Sequence, residues 1–248
     1  AVRQHNLDFL PGSAELGDFD ATSTTIALTP GGEQSLLPHD LLTNTFERYW
    51  KEFSDRRDGK REWSDYTPYE WRNVAAFVHL GWRDRAWDAS AFFFKDRAPQ
   101  PWNQWAEVVS RTPRTPFFLG DLPHAWVASD FVRAVLDMFA YGRESDTSLV
   151  IAAGLPTRWF EGKGIGIAEL RTPYGRLNYT LQRTDKQLLL ELQPGLILPP
   201  GGVVLPWPYQ GSPGKTTING ESAQWQNDEL RIQQLPANVQ IDVPRQRH

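Results

Sequence analysis

Cysteine is absent from this chain of 248 residues, and histidine occurs only five times. Without cysteine the chain forms neither disulfides nor thiolate metal sites, and this absence leaves the cellular compartment open. The histidines are scattered singly, with no His-Glu-x-x-His motif and no other metal-ligand spacing. We therefore expect no metal centre, and nothing in the composition implies a cofactor.

Long apolar runs and basic blocks are missing as well. No window approaches the roughly 18 uninterrupted apolar residues that a membrane span requires. Lysine and arginine together number 26 against 30 aspartates and glutamates, so the net charge is −4. The basic residues near 55–61 alternate with acidic ones, as on a solvated helix end. We therefore expect neither a membrane nor a nucleic acid as partner.

Tryptophan, by contrast, is abundant, with 11 residues in the chain. All but Trp207 and Trp225 lie before residue 160. The search for a binding site therefore begins in the first part of the chain.

Helical periodicity predicts the structure of that first part. After an opening loop over 1–38 with a short helix at 22–28, helices are predicted at 41–53, 68–80, 83–95 and 126–141. Asp40 and Thr67 are placed to cap the first two of these four helices. Gly81 and Gly142 mark the ends of the second and the fourth.

Short alternating runs replace this pattern after Asp146. Strands are predicted at 148–152, 164–171, 175–182, 187–192, 203–206, 215–218, 229–234 and 239–243. Turn signals such as Asn219-Gly220 stand where hairpins need them. The predicted fold class is α+β, with a helical domain over 1–145 followed by an antiparallel β-sandwich over 146–248.

The opening loop places the carboxylates of Glu15, Asp18 and Asp20 within six residues. Cleavage of a glycosidic bond uses two carboxyl groups, one as acid and one as base or nucleophile. Asp18 and Asp20 are therefore catalytic candidates. The alternative is that they cap turns or the short helix at 22–28.

Aromatic side chains alternate with polar ones in three further segments, at 63–73, 102–107 and 121–130. Aromatic faces stack on sugar rings, while carboxylate and amide groups bind hydroxyls. The candidate substrate-binding residues are Tyr66, Trp71, Arg72, Trp102, Asn103, Trp105, His124, Trp126 and Asp130. The alternative is that the tryptophans form the core, and we expect roughly half of the four named here to do so.

Several motifs resemble the C-terminal part of the (α/α)6-toroid glycoside hydrolases. YTPYE at 66–70 with Leu80-Gly81 resembles a late toroid helix, and LPHAW at 122–126 resembles the start of the last one. GIGI at 164–167 through TPYG at 172–175 resembles the entry to the β-sandwich that several of these enzymes carry. The resemblance implies an active site at the centre of a helical ring.

A complete ring of this kind needs six helix pairs, and only four main helices are predicted here. The resemblance therefore implies a partial toroid that associates with an upstream segment of the same enzyme or with another copy. A second catalytic carboxylate could then lie outside this chain. The residues expected to contact the partner are Trp50, Phe53, Phe92, Phe93 and Phe94.

The predicted function is hydrolysis of glycosidic bonds in an oligo- or polysaccharide. Asp18 and Asp20 are the first acid or base candidates, followed by Glu70 and Glu107. A periplasmic or secreted location is preferred to a cytoplasmic one.

Two alternatives remain open. The first is a carbohydrate-binding or structural module without catalysis, which needs the aromatic residues but no carboxylate pair. The second is a polysaccharide lyase, with Tyr66, Tyr69 or His124 abstracting a proton. The net acidic charge argues against the lyase, because uronate substrates favour a basic cleft.

Overall fold

The computed structural model describes residues 1–112 and 118–243. The chain divides into two compact units, Ala1–Asp137 and Met138–His248. We call them the helical unit and the strand unit. The chain is thus an α+β protein, as predicted. The division precedes the predicted boundary at 145/146, because β3 (Ala140–Arg143) already pairs with the next strand of the strand unit.

The α-helices described are α1 (Val2–His5), α2 (Ala21–Leu28), α3 (His39–Arg57), α4 (Trp71–His79), α5 (Arg83–Phe93) and α6 (Ala125–Phe139). The last five lie close to where periodicity predicts them, whereas α1 lies in the opening segment that was predicted as a loop. A 3₁₀ turn, Pro68–Glu70, leads directly into α4, and Thr67 caps it as predicted. The prediction for Asp40 is wrong, because α3 begins one residue before it. Among the described residues, no helix is long and apolar enough to cross a membrane.

Helices α2, α4 and α6 run in the same direction. At their starts, Asn73 of α4 donates to Thr22 of α2 over 3.1 Å. The Tyr69 hydroxyl, just before α4, lies 2.5 Å from the His124 ring, just before α6. At their ends, Asp137 of α6 lies 3.1 Å from the Thr29 hydroxyl. Their N-termini therefore share one end of the helical unit, which we call the N-terminal end.

Helices α3 and α5 run in the opposite direction. Residues 80–82 connect α4 to α5 as a tight hairpin, with Gly81 in the left-handed conformation. Glu47, in the middle of α3, pairs with Arg85, near the start of α5, over 2.9 Å. Further along, Phe53 packs against Phe93 with ring centroids 5.7 Å apart. The helical unit thus contains helices of two opposite directions.

Aromatic side chains fill the core of the helical unit. The rings of Trp71, Trp105 and Phe131 lie 5.0 to 5.4 Å apart. Trp71 and Trp105 are fully buried, and the Trp105 indole donates to the Phe93 carbonyl over 2.8 Å. These two tryptophans are therefore core residues, which corrects their prediction as substrate-binding residues.

The five residues expected to contact a partner do not form an exposed patch. Phe53 and Phe93 are fully buried, and Trp50, Phe92 and Phe94 are only partly exposed. Because these rings pack against one another inside the helical unit, that prediction is wrong for the buried pair. Exposed apolar side chains lie instead on α6, at Val132 and Leu136.

Two sheets make up the strand unit. Its strands are β3 (Ala140–Arg143), β4 (Ser148–Ile151), β5 (Ile165–Thr172), β6 (Gly175–Arg183), β7 (Gln187–Leu192), β8 (Val203–Pro206), β9 (Thr216–Ile218), β10 (Glu221–Ser222), β11 (Trp225–Gln226), β12 (Glu229–Ile232) and β13 (Ala237–Asp242). β1 (Asp65–Tyr66) and β2 (Val109–Ser110) form a small pair in the helical unit.

The six-stranded sheet has the order β10-β9-β13-β7-β6-β5 and is antiparallel throughout. The five-stranded sheet has the order β11-β12-β8-β4-β3. In it β4 and β8 pair in parallel, which is an exception to the predicted antiparallel arrangement. Within 150–243, the helical structure described is a single 3₁₀ turn, Thr157–Phe160.

Asp146 joins β3, β4 and β12 through charged hydrogen bonds. Its carboxylate accepts from Arg143 over 2.8 Å, from Arg231 over 2.7 Å and from the Ser148 hydroxyl over 2.7 Å. Burial alone would raise the pKa of Asp146, but these donors outweigh burial and hold that pKa well below its usual range.

We expect Asp146→Asn to destabilise the protein by about 2 kcal/mol at neutral pH, because it removes charged hydrogen bonds. Since the pKa is lowered on folding, the stabilisation is fully present above the unfolded value of about 4 and is lost progressively as pH falls from there through the lower folded-state pKa. Urea unfolding at neutral and at acidic pH measures this difference, with the exposed Glu144→Gln as control. A difference that does not shrink in acid would contradict this account.

Candidate functional site

Polar side chains stand at the start of each parallel helix. Asp20 caps α2, Tyr69 and Glu70 lie in the turn before α4, and His124 directly precedes α6. Because the three helices run in the same direction, these four residues belong to the N-terminal end. The candidate functional site is therefore sought there.

The carboxylates of the opening loop have local structural roles. Asp20 accepts hydrogen bonds from the Ser23 amide over 3.0 Å and from the Ser23 hydroxyl over 2.5 Å. Asp18 accepts from the Ser13 amide over 2.9 Å. These are the capping roles that the alternative interpretation assigned to both residues. Their carboxylates are thus engaged by the loop itself, which argues against the catalytic roles predicted for them.

Glu70 is held by an arginine and a tyrosine. Both of its oxygens accept from the Arg56 guanidinium, over 2.8 and 2.6 Å, and the Tyr49 hydroxyl lies 2.5 Å away. Burial, reinforced by the charge of Glu70, raises the pKa of Tyr49 well above its usual value. Tyr49 is therefore a neutral donor to Glu70. These side chains line a cavity of about 410 Å³ to which Asp20 also contributes.

We expect Glu70→Gln to reduce stability by about 2 kcal/mol, because Arg56 would lose a bidentate charged partner at a site where each side chain is 12% exposed. Chemical denaturation of this variant measures the loss, with the exposed Glu15→Gln as control. Unchanged stability combined with lost activity would instead assign Glu70 a direct catalytic role.

A second cluster combines Glu107, Asp121 and His124. One oxygen or nitrogen atom from each of these side chains lies within 4.8 Å of the other two. Backbone hydrogen bonds join the segments that carry them. The Glu107 amide donates to the Asp121 carbonyl over 3.0 Å, and the His124 amide donates to the Trp105 carbonyl over 3.1 Å. We call this group the acidic cluster.

Tyr69 connects the acidic cluster to α4. Its hydroxyl lies 2.5 Å from His124 Nε2, while His124 Nδ1 faces Asp121 at 3.7 Å. Burial and the negative charge of Glu107 raise the pKa of Tyr69. The phenol therefore keeps its proton, and the hydroxyl and Nε2 share a hydrogen bond whose direction depends on the His124 tautomer. The three side chains form a chain of polar contacts.

An ion pair flanks this chain. Arg72 donates to Asp130 over 2.9 Å, and its guanidinium lies 4.8 Å from the centre of the Tyr69 ring. Burial raises the pKa of Asp130 above its usual value, against the opposing effect of Arg72. Arg72 thus packs on the Tyr69 ring, and Asp130 holds Arg72 there. Both residues were predicted to bind substrate.

An exposed tryptophan lies beside the acidic cluster. Trp126 is 68% exposed, and its ring centroid lies 6.2 Å from those of Tyr69 and His124. A tryptophan ring this open to solvent is able to stack on a ligand. The predicted binding residues His124 and Trp126 are therefore adjacent in the structure.

The other predicted binding residues are dispersed. Trp102 is exposed, and Asn103 accepts from Arg97 over 2.5 Å. Tyr66 is buried, with its hydroxyl donating to Asp96 over 2.6 Å, so it is a structural residue.

Sequence reasoning assigned no catalytic role to Asp121 and expected no metal. The residues of the acidic cluster come from two segments, so no ligand spacing along the chain could indicate them. Two carboxylates and an imidazole are nevertheless groups that a divalent cation can use. The one sequence feature that could have pointed to Asp121 is the glycine before it. Gly120 has a left-handed backbone conformation, and a side chain at this position would collide with Glu107.

Comparison of the chain with protein-family models, with curated proteins and with solved structures found no match.

Proposed function

We propose that the N-terminal end of the helical unit is a saccharide cleft in which Glu107 and Asp121 hydrolyse a glycosidic bond. The observation that carries this proposal is the exposed Trp126 beside two carboxylates that lie within 4.8 Å of each other. A tryptophan face binds the C–H groups of a sugar ring, and a carboxyl pair supplies the acid and its partner.

The remaining side chains of the site support these two roles. His124 Nδ1 lies 3.7 Å from the exposed Asp121 carboxylate, and Tyr69 contacts the opposite ring nitrogen, so an imidazole stands beside one of the two carboxyl groups. Positioned carboxyl groups are what acid–base chemistry requires, because proton transfer needs a hydrogen-bonding distance to the reacting oxygen. Glu70, in this proposal, stabilises the turn that presents Tyr69.

The proposal includes a toroid-like arrangement of the helices. In paired-helix rings the inner helices run one way and the outer helices the other. The common direction of α2, α4 and α6, opposite to that of α3 and α5, supports this architecture. In such a ring the N-termini of α2, α4 and α6 would face the same cleft, together with Asp20, Glu70 and His124.

The proposal also retains a partner and a β-sandwich. The described helices are too few for six pairs, so an upstream segment or a second copy would complete the ring. A groove of about 400 Å³ along α6, lined by Val132 and Leu136, suits such packing. In the strand unit, β13 alternates buried and exposed side chains, and so do the last three residues of β7, as strands of a sandwich do.

A polysaccharide lyase is the second candidate. It is favoured by one observation, the 2.5 Å contact between Tyr69 and His124, because a tyrosine paired with a histidine can abstract or return a proton. A lyase yields an unsaturated product, whereas a hydrolase adds water across the bond.

Incubation of the protein with a panel of polysaccharides tests the proposal. Release of reducing ends without ultraviolet absorbance would support hydrolysis, and release with the absorbance of an unsaturated uronate would support the lyase. If no glycan is cleaved under any condition, by the chain alone or by the full-length protein, the proposed function is wrong.

A further inference from the structure

A cleft of about 510 Å³ opens in the strand unit. Its volume falls in the range of about 300–1,000 Å³ that is common for small-ligand sites. Next to it the chain passes from β10, at one edge of the six-stranded sheet, to β11, at one edge of the five-stranded sheet. Among the described residues that line the cleft, Trp225 is the aromatic one, and the others are polar or small residues of the segments 212–216 and 222–228. All of them belong to the strand unit.

The Trp225 ring is held in a fixed position. Its indole Nε1 donates to the Thr216 hydroxyl over 2.8 Å, and that hydroxyl donates in turn to the Gly214 carbonyl over 3.0 Å. The buried Trp207 packs against Trp225 with ring centroids 5.5 Å apart and an interplanar angle of 76°. Because Thr216 already accepts the indole proton, Trp225 offers a ligand its half-buried ring rather than a hydrogen-bond donor.

Backbone contacts fix two walls of the cleft. In the first wall, the Gly214 amide donates to the Asp242 carbonyl over 2.8 Å, and the Asp242 amide donates to the Lys215 carbonyl over 2.9 Å. The second wall is the two-residue turn Asn227-Asp228 between β11 and β12. Both turn residues are left-handed, as in the type I′ turns of tight hairpins. The cleft is therefore largely preformed, which reduces the entropy lost when a ligand binds.

The polar side chains of the cleft combine opposite charges with neutral amides. Lys215 and Asp228 each bring one charge, and Gln224 and Asn227 bring amide groups, all on exposed residues. Such a mixture of donors and acceptors matches sugar hydroxyls, because each hydroxyl both donates and accepts hydrogen bonds. The Asp228 carboxylate disfavours a phosphate ligand, and the polar lining disfavours an acyl chain.

We propose that this cleft is a saccharide-binding site, in which the Trp225 ring stacks on a sugar and Lys215, Asn227 and Asp228 bind its hydroxyls. The fixed tryptophan ring beside a preformed polar rim carries the proposal, because an aromatic face binds the C–H groups of a sugar and a few placed polar groups orient it. The described lining contains one carboxylate, so the site lacks the carboxyl pair that hydrolysis uses. It would therefore hold a glycan without cleaving it, independently of the chemistry proposed for the helical unit.

The indole NMR signals of the isotopically labelled full chain test this inference. The Glu107→Gln background prevents cleavage, and Trp225→Phe and Trp126→Ala identify the two signals of interest. The probes are hexasaccharides of β-1,4-linked glucose, α-1,4-linked glucose, β-1,4-linked xylose and β-1,4-linked N-acetylglucosamine. We expect at least one of them to move the Trp225 signal in a saturable way, and to do so in Trp126→Ala as well.

Lys215→Ala removes one hydrogen-bond donor from the cleft. Its matched control is the exposed Lys163→Ala, just before β5 at the opposite edge of the six-stranded sheet from β10. We expect Lys215→Ala to weaken the binding seen at the Trp225 signal about tenfold and Lys163→Ala to leave it unchanged. Both substitutions are at exposed positions, so they test the site without disturbing the packing of Trp225.

Three outcomes would overturn the inference. The first is that no oligosaccharide moves the Trp225 signal, and the second is equal affinity in Lys215→Ala. The third is movement with adenine but with no sugar, because a base also stacks on tryptophan and the cleft would then bind a planar ring instead. Movement of the Trp126 signal alone would support the proposed function and contradict this site, whereas movement of the Trp225 signal alone would support this site and count against saccharide binding at the N-terminal end.

Discussion

Glu107→Gln is expected to lower the rate of glycan cleavage by about 10²–10⁴-fold, because the amide can neither give nor accept the reacting proton. Asp121→Asn should have an effect of similar size, since the proposed reaction uses both carboxyl groups. The measurement is kcat on the glycan identified in the polysaccharide panel. Thermal unfolding of both variants should stay close to that of the parent, because the two substitutions keep the shape of the side chain.

Asp20→Asn is the matched control for these variants. Asparagine caps a helix as well as aspartate does, so the cap of α2 is kept while the carboxylate is removed. If Asp20 only caps α2, activity is unchanged. Loss of activity in Asp20→Asn together with full activity in Glu107→Gln would contradict the site proposed here and would restore the prediction made from the opening loop.

Trp105→Ala is expected to destabilise the protein by about 3–5 kcal/mol, because it removes a large, fully buried ring and leaves a cavity. The Trp105 indole also donates to the Phe93 carbonyl, which would lose that partner. Denaturant unfolding measures the change. The exposed Trp126→Ala is the control, and we expect it to change stability by no more than about 0.5 kcal/mol.

A small loss of stability in Trp105→Ala, accompanied by loss of glycan binding, would contradict the assignment of this residue to the core. It would instead support its prediction as a substrate-binding residue.

Periodicity was enough to place most elements. The helices around Phe46 and Phe131 and the strands from β5 to β8 lie within a few residues of their predicted bounds. The end of α6 was predicted two residues too late, because Ala140 and Tyr141 continue the apolar pattern but pair with β4 instead. Pairing between distant segments is a tertiary effect that a local pattern does not contain.

Burial of the tryptophans could not be read from the sequence. Trp102 and Trp105 lie in one short segment, yet the first is 64% exposed and the second 1% exposed. The difference depends on the position of Phe93 and Phe131, which come from other helices. The sequence therefore indicated an aromatic site without distinguishing its members from the core.

The candidate site was predicted only in part. Glu107, His124 and Trp126 were named from their aromatic segments. In the structure His124 belongs to the acidic cluster together with Glu107, and its ring centroid lies 6.2 Å from that of Trp126. Asp121 was not selected, because its proximity to Glu107 arises from pairing of two segments separated along the chain. Asp20 was selected because several carboxylates close together in a loop look the same in the sequence whether they cap turns and helices or take part in catalysis.

Glycan affinity of Trp126→Ala tests the central claim most directly. Isothermal titration is carried out in the Glu107→Gln background, which is expected to bind the glycan without cleaving it. Trp159→Ala, in the strand unit, serves as the control. An aromatic contact contributes about 0.5–1.5 kcal/mol beyond simple burial, so we expect Trp126→Ala to weaken binding up to about tenfold and Trp159→Ala to leave it unchanged. Equal affinity with and without the Trp126 ring would show that the saccharide does not bind at the N-terminal end.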